Sequence, residues 1–180
     1  LDRVWYLQLI ESVGDLGKID RTIASDVFLF EIDLKNLLTL VRYFWYHQMD
    51  AKEVQKLLIP LGKVAQSREV ASYLKQKETE RNPQNLIHAF ITDIADETVL
   101  SQRGSVHTDQ VEILETLKIE TYLDMQRKKV YQRMLTADPF SIALPLAYFF
   151  LFKEETSMIK AVLNGKYYGY DEQYIKGVLG

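Results

Sequence analysis

Cysteine is absent from the 180-residue chain. That removes disulfides, thiolate metal sites and cysteine nucleophiles together, and it fits a reducing compartment. Proline and glycine are scarce, at four and eight residues, which leaves little room for turn-rich β structure or a disordered linker. Only three histidines occur, His47, His88 and His107, and they are scattered. No uncharged run is long enough to span a bilayer: the longest, Pro139 to Phe152, is short of the roughly 20 residues required and contains Pro145. Nothing resembles a signal peptide, and the start at Leu1-Asp2-Arg3 rather than Met reads as a cut N-terminus. A net charge of −3 gives no global pull toward nucleic acid.

Catalytic patterns are missing as well. Gly165-Lys166 lacks the upstream glycine and following Ser/Thr of a phosphate loop. There is no His-Glu-x-x-His and no Gly-x-Ser-x-Gly. His107 with Asp109 and Glu112 reads as a loop histidine ahead of an acidic helix start. Asp93, Asp96 and Glu97 read as a solvated helix face rather than a carboxylate mechanism. Arg127-Lys128-Lys129 is a solvated basic face, since few aromatics are interleaved. We therefore expect no enzyme activity, no cofactor, no metal, no small-molecule substrate and no nucleic-acid partner.

What remains is hydrophobic residues at the helical period, which predicts an all-α fold. Asp20 to about His47 carries Val27, Phe30, Leu34, Leu37, Leu38, Val41 and Trp45 on one face, enough for a helix about 40 Å long at 1.5 Å per residue. Val4, Leu7 and Ile10 set an earlier stripe. Asp50 reads as an N-cap, with Glu53 completing a capping box ahead of Val54, Leu57 and Leu58. Ser67 caps a short helix, and Asn82-Pro83 opens another to about Leu100. Thr108 or Asp109 opens a long helix to Leu135, with Leu114, Leu117, Tyr122 and Met125 near its buried side. Asp138-Pro139 caps the next, from Phe140 to about Leu163, which Pro145 should kink or interrupt. Asn164-Gly165 reads as its stop. Tyr174, Ile175, Val178 and Leu179 form a last short helix.

An offset of about 121 residues aligns two segments without gaps. Leu37-Leu38 falls on Met158-Ile159, Val41 on Val162, Tyr46-His47 on Tyr167-Tyr168, Asp50 on Asp171, and Leu57-Leu58 on Val178-Leu179. Each copy reads as a long helix, a tyrosine-bearing corner, an Asp cap and a short amphipathic helix. The organisation expected is a first copy over 1–66, connecting short helices over 67–108 and a second copy over 109–180. The clusters Tyr43–Tyr46 and Phe149–Phe152 cover every side of a helix, so some rings point away from the local core, into another domain or a partner surface.

Glu31-Ile-Asp-Leu-Lys-Asn-Leu-Leu-Thr-Leu-Val-Arg42, with the turn Leu58-Ile59-Pro60-Leu61-Gly62 after it, resembles the C-type subunits of the V/A-type (vacuolar/archaeal-type) ATPases, relatives of the d-type subunits of the eukaryotic V-type enzymes. Ile32, Asp33, Asn36, Leu37 and Arg42 stand at the positions of that family's helix motif. Glu155, Ile159, Val162, Gly165-Lys166, Gly169, Glu172, Ile175 and Lys176 stand at those of its closing motif, where the family's Asn is Met158 here. The resemblance implies two similar helical domains of a three-domain funnel. It implies a non-catalytic central-stalk rotor subunit, cytoplasmic and peripheral on the membrane, which couples the D- and F-type shaft subunits to the proteolipid ring for proton or sodium transport. The corners Arg42, Tyr46, His47 and Lys166, Tyr167, Tyr168 are the candidate partner contacts; the alternative is that they cap their own helices. A helical scaffold of another assembly is the second reading of the whole chain.

Overall fold

A computed structural model describes residues 2–91 and 108–173, all of it helix, turn and loop without a strand. Helix α1 (Asp2–Val13) leads through Gly14–Gly17 into α2 (Lys18–Thr39), which continues without a break as a π-helical segment (Leu40–Tyr46). Short helices α3 (Ala51–Leu57), α4 (Arg68–Tyr73) and α5 (Pro83–Phe90) follow. Two long helices, α6 (Thr108–Met134) and α7 (Ala143–Tyr167), complete the described chain. The chain forms two compact units, Leu1–Asp124 and Met125–Gly180.

The caps read from sequence form where the side chain reaches an orphan amide. Asp50 accepts from the Lys52 N–H, Ser67 from Val70, and Asn82 from Gln84 and Asn85. The capping box does not close: Glu53 pairs with Lys56 at 2.6 Å instead. Helix α5 stops at Phe90, because Ile91 is extended (φ −120°, ψ 92°). The acidic cluster from Asp93, with His107 and Leu100, lies outside the described residues, as do the side chains of residues 108–117 and the segment from Tyr174 onward.

Pro145 does not kink α7. The helix starts at Ala143, later than expected, so Pro145 stands in the first turn, where no intrahelical partner awaits its missing N–H. The helix also runs past Gly165, which is buried, and ends at Tyr167, with Gly169 turning the chain just beyond its cap at φ +73°. Val4 and Leu7 are exposed, and among the described side chains of α1 Val13 alone is buried. On α6, Met125 is exposed and Gln126 is buried, since Ile119, Tyr122, Leu123 and Gln126 complete the three-and-four stripe and Met125 stands one position off it.

In the first unit, Leu34, Leu37, Leu40, Val41 and Phe44 of the long helix form the spine of the core. Val54 of α3, Val70 and Tyr73 of α4, Leu86 and Ile87 of α5, and Ile119, Tyr122 and Leu123 of α6 pack around it. In the second unit, Tyr131 stacks on Phe150 at 4.8 Å with planes 5° apart, and Ala143 and Ala147 are buried beside them on α7.

The loop after α3 is tied to α2 by two side chains of the helix motif. Asn36 accepts from the Ile59 N–H at 2.8 Å and donates to the carbonyls of Ile59 (3.0 Å) and Leu61 (3.4 Å). Asp33, one turn earlier, accepts from the N–H groups of Val64 (2.8 Å) and Lys63 (3.1 Å). Burial raises the Asp33 carboxyl above its usual range, against the opposing pull of those two N–H groups and the Lys63 charge. Folding therefore favours the protonated form relative to the unfolded chain. That increment of stability is complete below the unfolded pKa and is lost as pH rises through the folded one. Asp33→Asn lacks this titration, so the stability of wild type relative to that variant should fall as pH rises through the carboxylate range. Paired urea titrations at each pH measure it, and a flat difference would show that Asp33 does not titrate differently on folding.

Candidate functional site: two helix corners

The first corner closes the π-helical segment. The His47 N–H reaches five residues back to the Arg42 carbonyl (2.9 Å), and the Met49 N–H reaches six back to Tyr43 (2.9 Å). Gln48 turns the chain through left-handed space at φ 51°, a conformation rare for a residue with a side chain. A π turn has poorer hydrogen-bond geometry than an α turn and recurs at functional positions. Here Arg81 braces it from outside: its Nη1 donates to the Phe44 carbonyl at 2.9 Å while the guanidinium lies 3.8 Å from the Phe44 ring centre.

Of the candidates at this corner, Arg42 points to α6 and bonds Glu120 through Nε at 2.7 Å. That bond is the main cause of a raised Arg42 pKa. Tyr46 and His47 touch edge to face at 4.8 Å, with Tyr43 tilted against His47 at 6.0 Å. Phe44 is wholly buried, Tyr43 is 41% exposed, and Trp45 and Tyr46 are half-buried.

The second corner has the same elements with an α-helical last turn. The Tyr168 N–H bonds the Asn164 carbonyl (2.9 Å), Gly169 bonds Lys166 (3.1 Å), and Tyr170 bonds Gly165 (2.9 Å). Gly169 supplies the left-handed residue. Tyr167 and Tyr168 meet edge to face at 5.2 Å, yet they are 83% and 70% exposed. Lys166 is exposed, and its ammonium has no bonding partner among the described residues. The two corners belong to different units, and each groups its own candidates.

Sequence reasoning missed Glu120 and Arg81. Both act across long sequence separations, 78 residues from Arg42 and 37 from Phe44, and neither stands in a local pattern. Among the described residues, no three His, Asp or Glu side chains group as a metal site, and no helix is long and apolar enough to cross a membrane.

Fold and corners together define an all-helical protein in which the helix running to Tyr46 and α7 each end in a left-handed, aromatic turn. A model of the family described as ATP synthase (C/AC39) subunit matches residues 1–178, and the chain belongs to that family. It is thereby a V/A-type ATPase component of the C/d group, which associates with other subunits of a membrane-associated machine. No curated protein and no solved structure matches it.

Proposed function

We propose that the chain is a non-catalytic central-stalk rotor subunit that seats the D- and F-type shaft on the proteolipid ring, with the two corners as partner contacts. The observation that carries the contact assignment is the second corner. Lys166, Tyr167 and Tyr168 stand together at a helix end, all exposed, the two tyrosines with most of their surface free. Tyrosines bury a ring while keeping the hydroxyl wet, which suits an interface. The cation stands at the negative end of the helix dipole, ready for an acidic partner.

A duplicated origin of the two corners supports the same reading. The left-handed residues Gln48 and Gly169 are 121 positions apart, the offset of the sequence repeat. Asp50 caps α3, and Asp171 immediately precedes helical Glu172 and Gln173. Equivalent corners on duplicated units give a rotor part repeated contacts of one kind. The long helices and the bonded loop give it stiffness.

The reading is tested on the chain assembled with its shaft subunits. Lys166→Glu combined with Tyr167→Ala and Tyr168→Ala should weaken shaft binding at least tenfold, about 1.4 kcal/mol, with helicity and melting point unchanged. Arg42→Glu serves as the contrast. It sets like charges together at Glu120, so it should lower stability by about 1 kcal/mol and be rescued by Glu120→Arg. Undiminished shaft binding by the triple variant would remove the second corner from the interface.

A further inference from the structure

The first corner is harder to hold than the second. It turns through Gln48 at φ 51°, where a side chain is strained, whereas the second turns through a glycine. It also closes a π-helical segment, whose hydrogen-bond geometry is poorer than that of an α turn. A strained turn persists only where its surroundings over-determine it. The backbone does not do so here. The two bonds that close the corner run from the His47 and Met49 N–H groups to the Arg42 and Tyr43 carbonyls, and they pass over Phe44. At the second corner Tyr168, Gly169 and Tyr170 bond Asn164, Lys166 and Gly165, so backbone groups close that turn by themselves.

Arg81 takes the carbonyl that is passed over. It stands 37 residues further along the chain, just after the helical turn Glu78–Glu80. Its Nη1 donates to the Phe44 carbonyl at 2.9 Å, its guanidinium lies over the Phe44 ring at 3.8 Å, and its Nε reaches the Gln76 carbonyl at 3.5 Å. Tyr73 meets the same ring edge to face at 5.4 Å. The Phe44 ring is thus held from two directions, and its carbonyl is held by a third contact. Only a planar fork can donate to a carbonyl while lying over a ring; an ammonium is a point charge. Any cation at a helix C-terminus gains from the dipole, whatever its shape. Arg81→Lys therefore separates the fork from the charge.

We propose that Arg81 is the positioning residue of the first corner: by capping Phe44 from across the unit, it fixes the turn on which Tyr43, Tyr46 and His47 are displayed. Tyr43 and His47 are exposed, and Tyr46 lies edge to face on His47. A small rotation of the turn re-aims all three rings. That these rings meet the shaft rests on the function proposed above; that Arg81 aims them does not.

Amide exchange on the full chain separates aiming from general stability. Arg81→Lys should raise exchange at His47 and Met49 about tenfold while leaving Ile87 in the core unchanged. Gln48→Gly removes the strain that the clamp opposes, so in that background the same substitution should raise corner exchange by about threefold at most. On the chain assembled with its shaft subunits, Arg81→Lys should weaken binding about fivefold, and no further once Tyr46→Ala and His47→Ala are present. Corner exchange equal to wild type in Arg81→Lys overturns the proposal, because charge alone then suffices. So does an equal rise at Ile87, a full effect in the Gln48→Gly background, or a loss of binding that adds to that of the ring variants. If the corner alone loosens but the ring variants bind the shaft like wild type, Arg81 stands as the positioning residue and the corner's reading as a shaft contact fails.

Discussion

Asn36→Ala should destabilise the first unit by roughly 2–4 kcal/mol, lowering its melting point by about 5–15 °C. Asn36 is 1% exposed, and its amide is fully committed to the loop after α3. Alanine strands the Ile59 N–H and carbonyl in a place where Ile59 itself is 3% exposed. Water cannot readily replace those bonds, so the cost is the desolvation of unpaired backbone groups and not merely a lost surface contact. Asn36→Asp should be no better. One carboxylate oxygen still accepts from Ile59, but the other then faces the carbonyls of Ile59 and Leu61 where the amide had donated. Thermal melts read the global effect, and amide exchange at Ile59 reads the local one. A variant melting within a degree of wild type, with Ile59 still protected, would mean that the loop is held by its apolar contacts alone.

The same residue shows how far the sequence is legible. Ile32, Asp33, Asn36 and Gly62 stand out as a motif, but a motif does not say which bonds it makes. Here it is a fastening: a helix carries two polar side chains one turn apart, and a loop some 25 residues later offers the matching amides and carbonyls. Local signals are readable because their physics is local. Asp50, Ser67 and Asn82 cap where short polar side chains precede helical runs, and Tyr122 and Val41 are buried on their helical period, whereas Phe44 is buried in place of the expected Trp45. The π-helical segment is not readable, since Leu40, Val41 and Phe44 satisfy an α-helical stripe equally well. Pro145 reads as a kink only when the helix start is placed too early, because the residue's effect depends wholly on its distance from that start. Arg42 reads as a cation at a helix end. Its bond to Glu120 depends on tertiary structure that no local spacing encodes.

Gly62→Ala tests whether the loop and helix are matched to one another or merely adjacent. Gly62 has φ +79°, where a side chain is strained. A methyl group there would also overlap the Asp33 carboxylate that holds Lys63 and Val64. The two penalties are separable. Left-handed strain alone should cost about 1 kcal/mol. Displacing the carboxylate and freeing two amides should bring the total to roughly 3 kcal/mol. In an Asp33→Ala background the obstructing carboxylate is gone and the two bonds are already lost, so Gly62→Ala should then cost only the strain. The double-mutant cycle should accordingly give a coupling of about 2 kcal/mol between positions 33 and 62. Full additivity would mean that the carboxylate moves aside freely, and that the glycine is required by its backbone angle and not by Asp33.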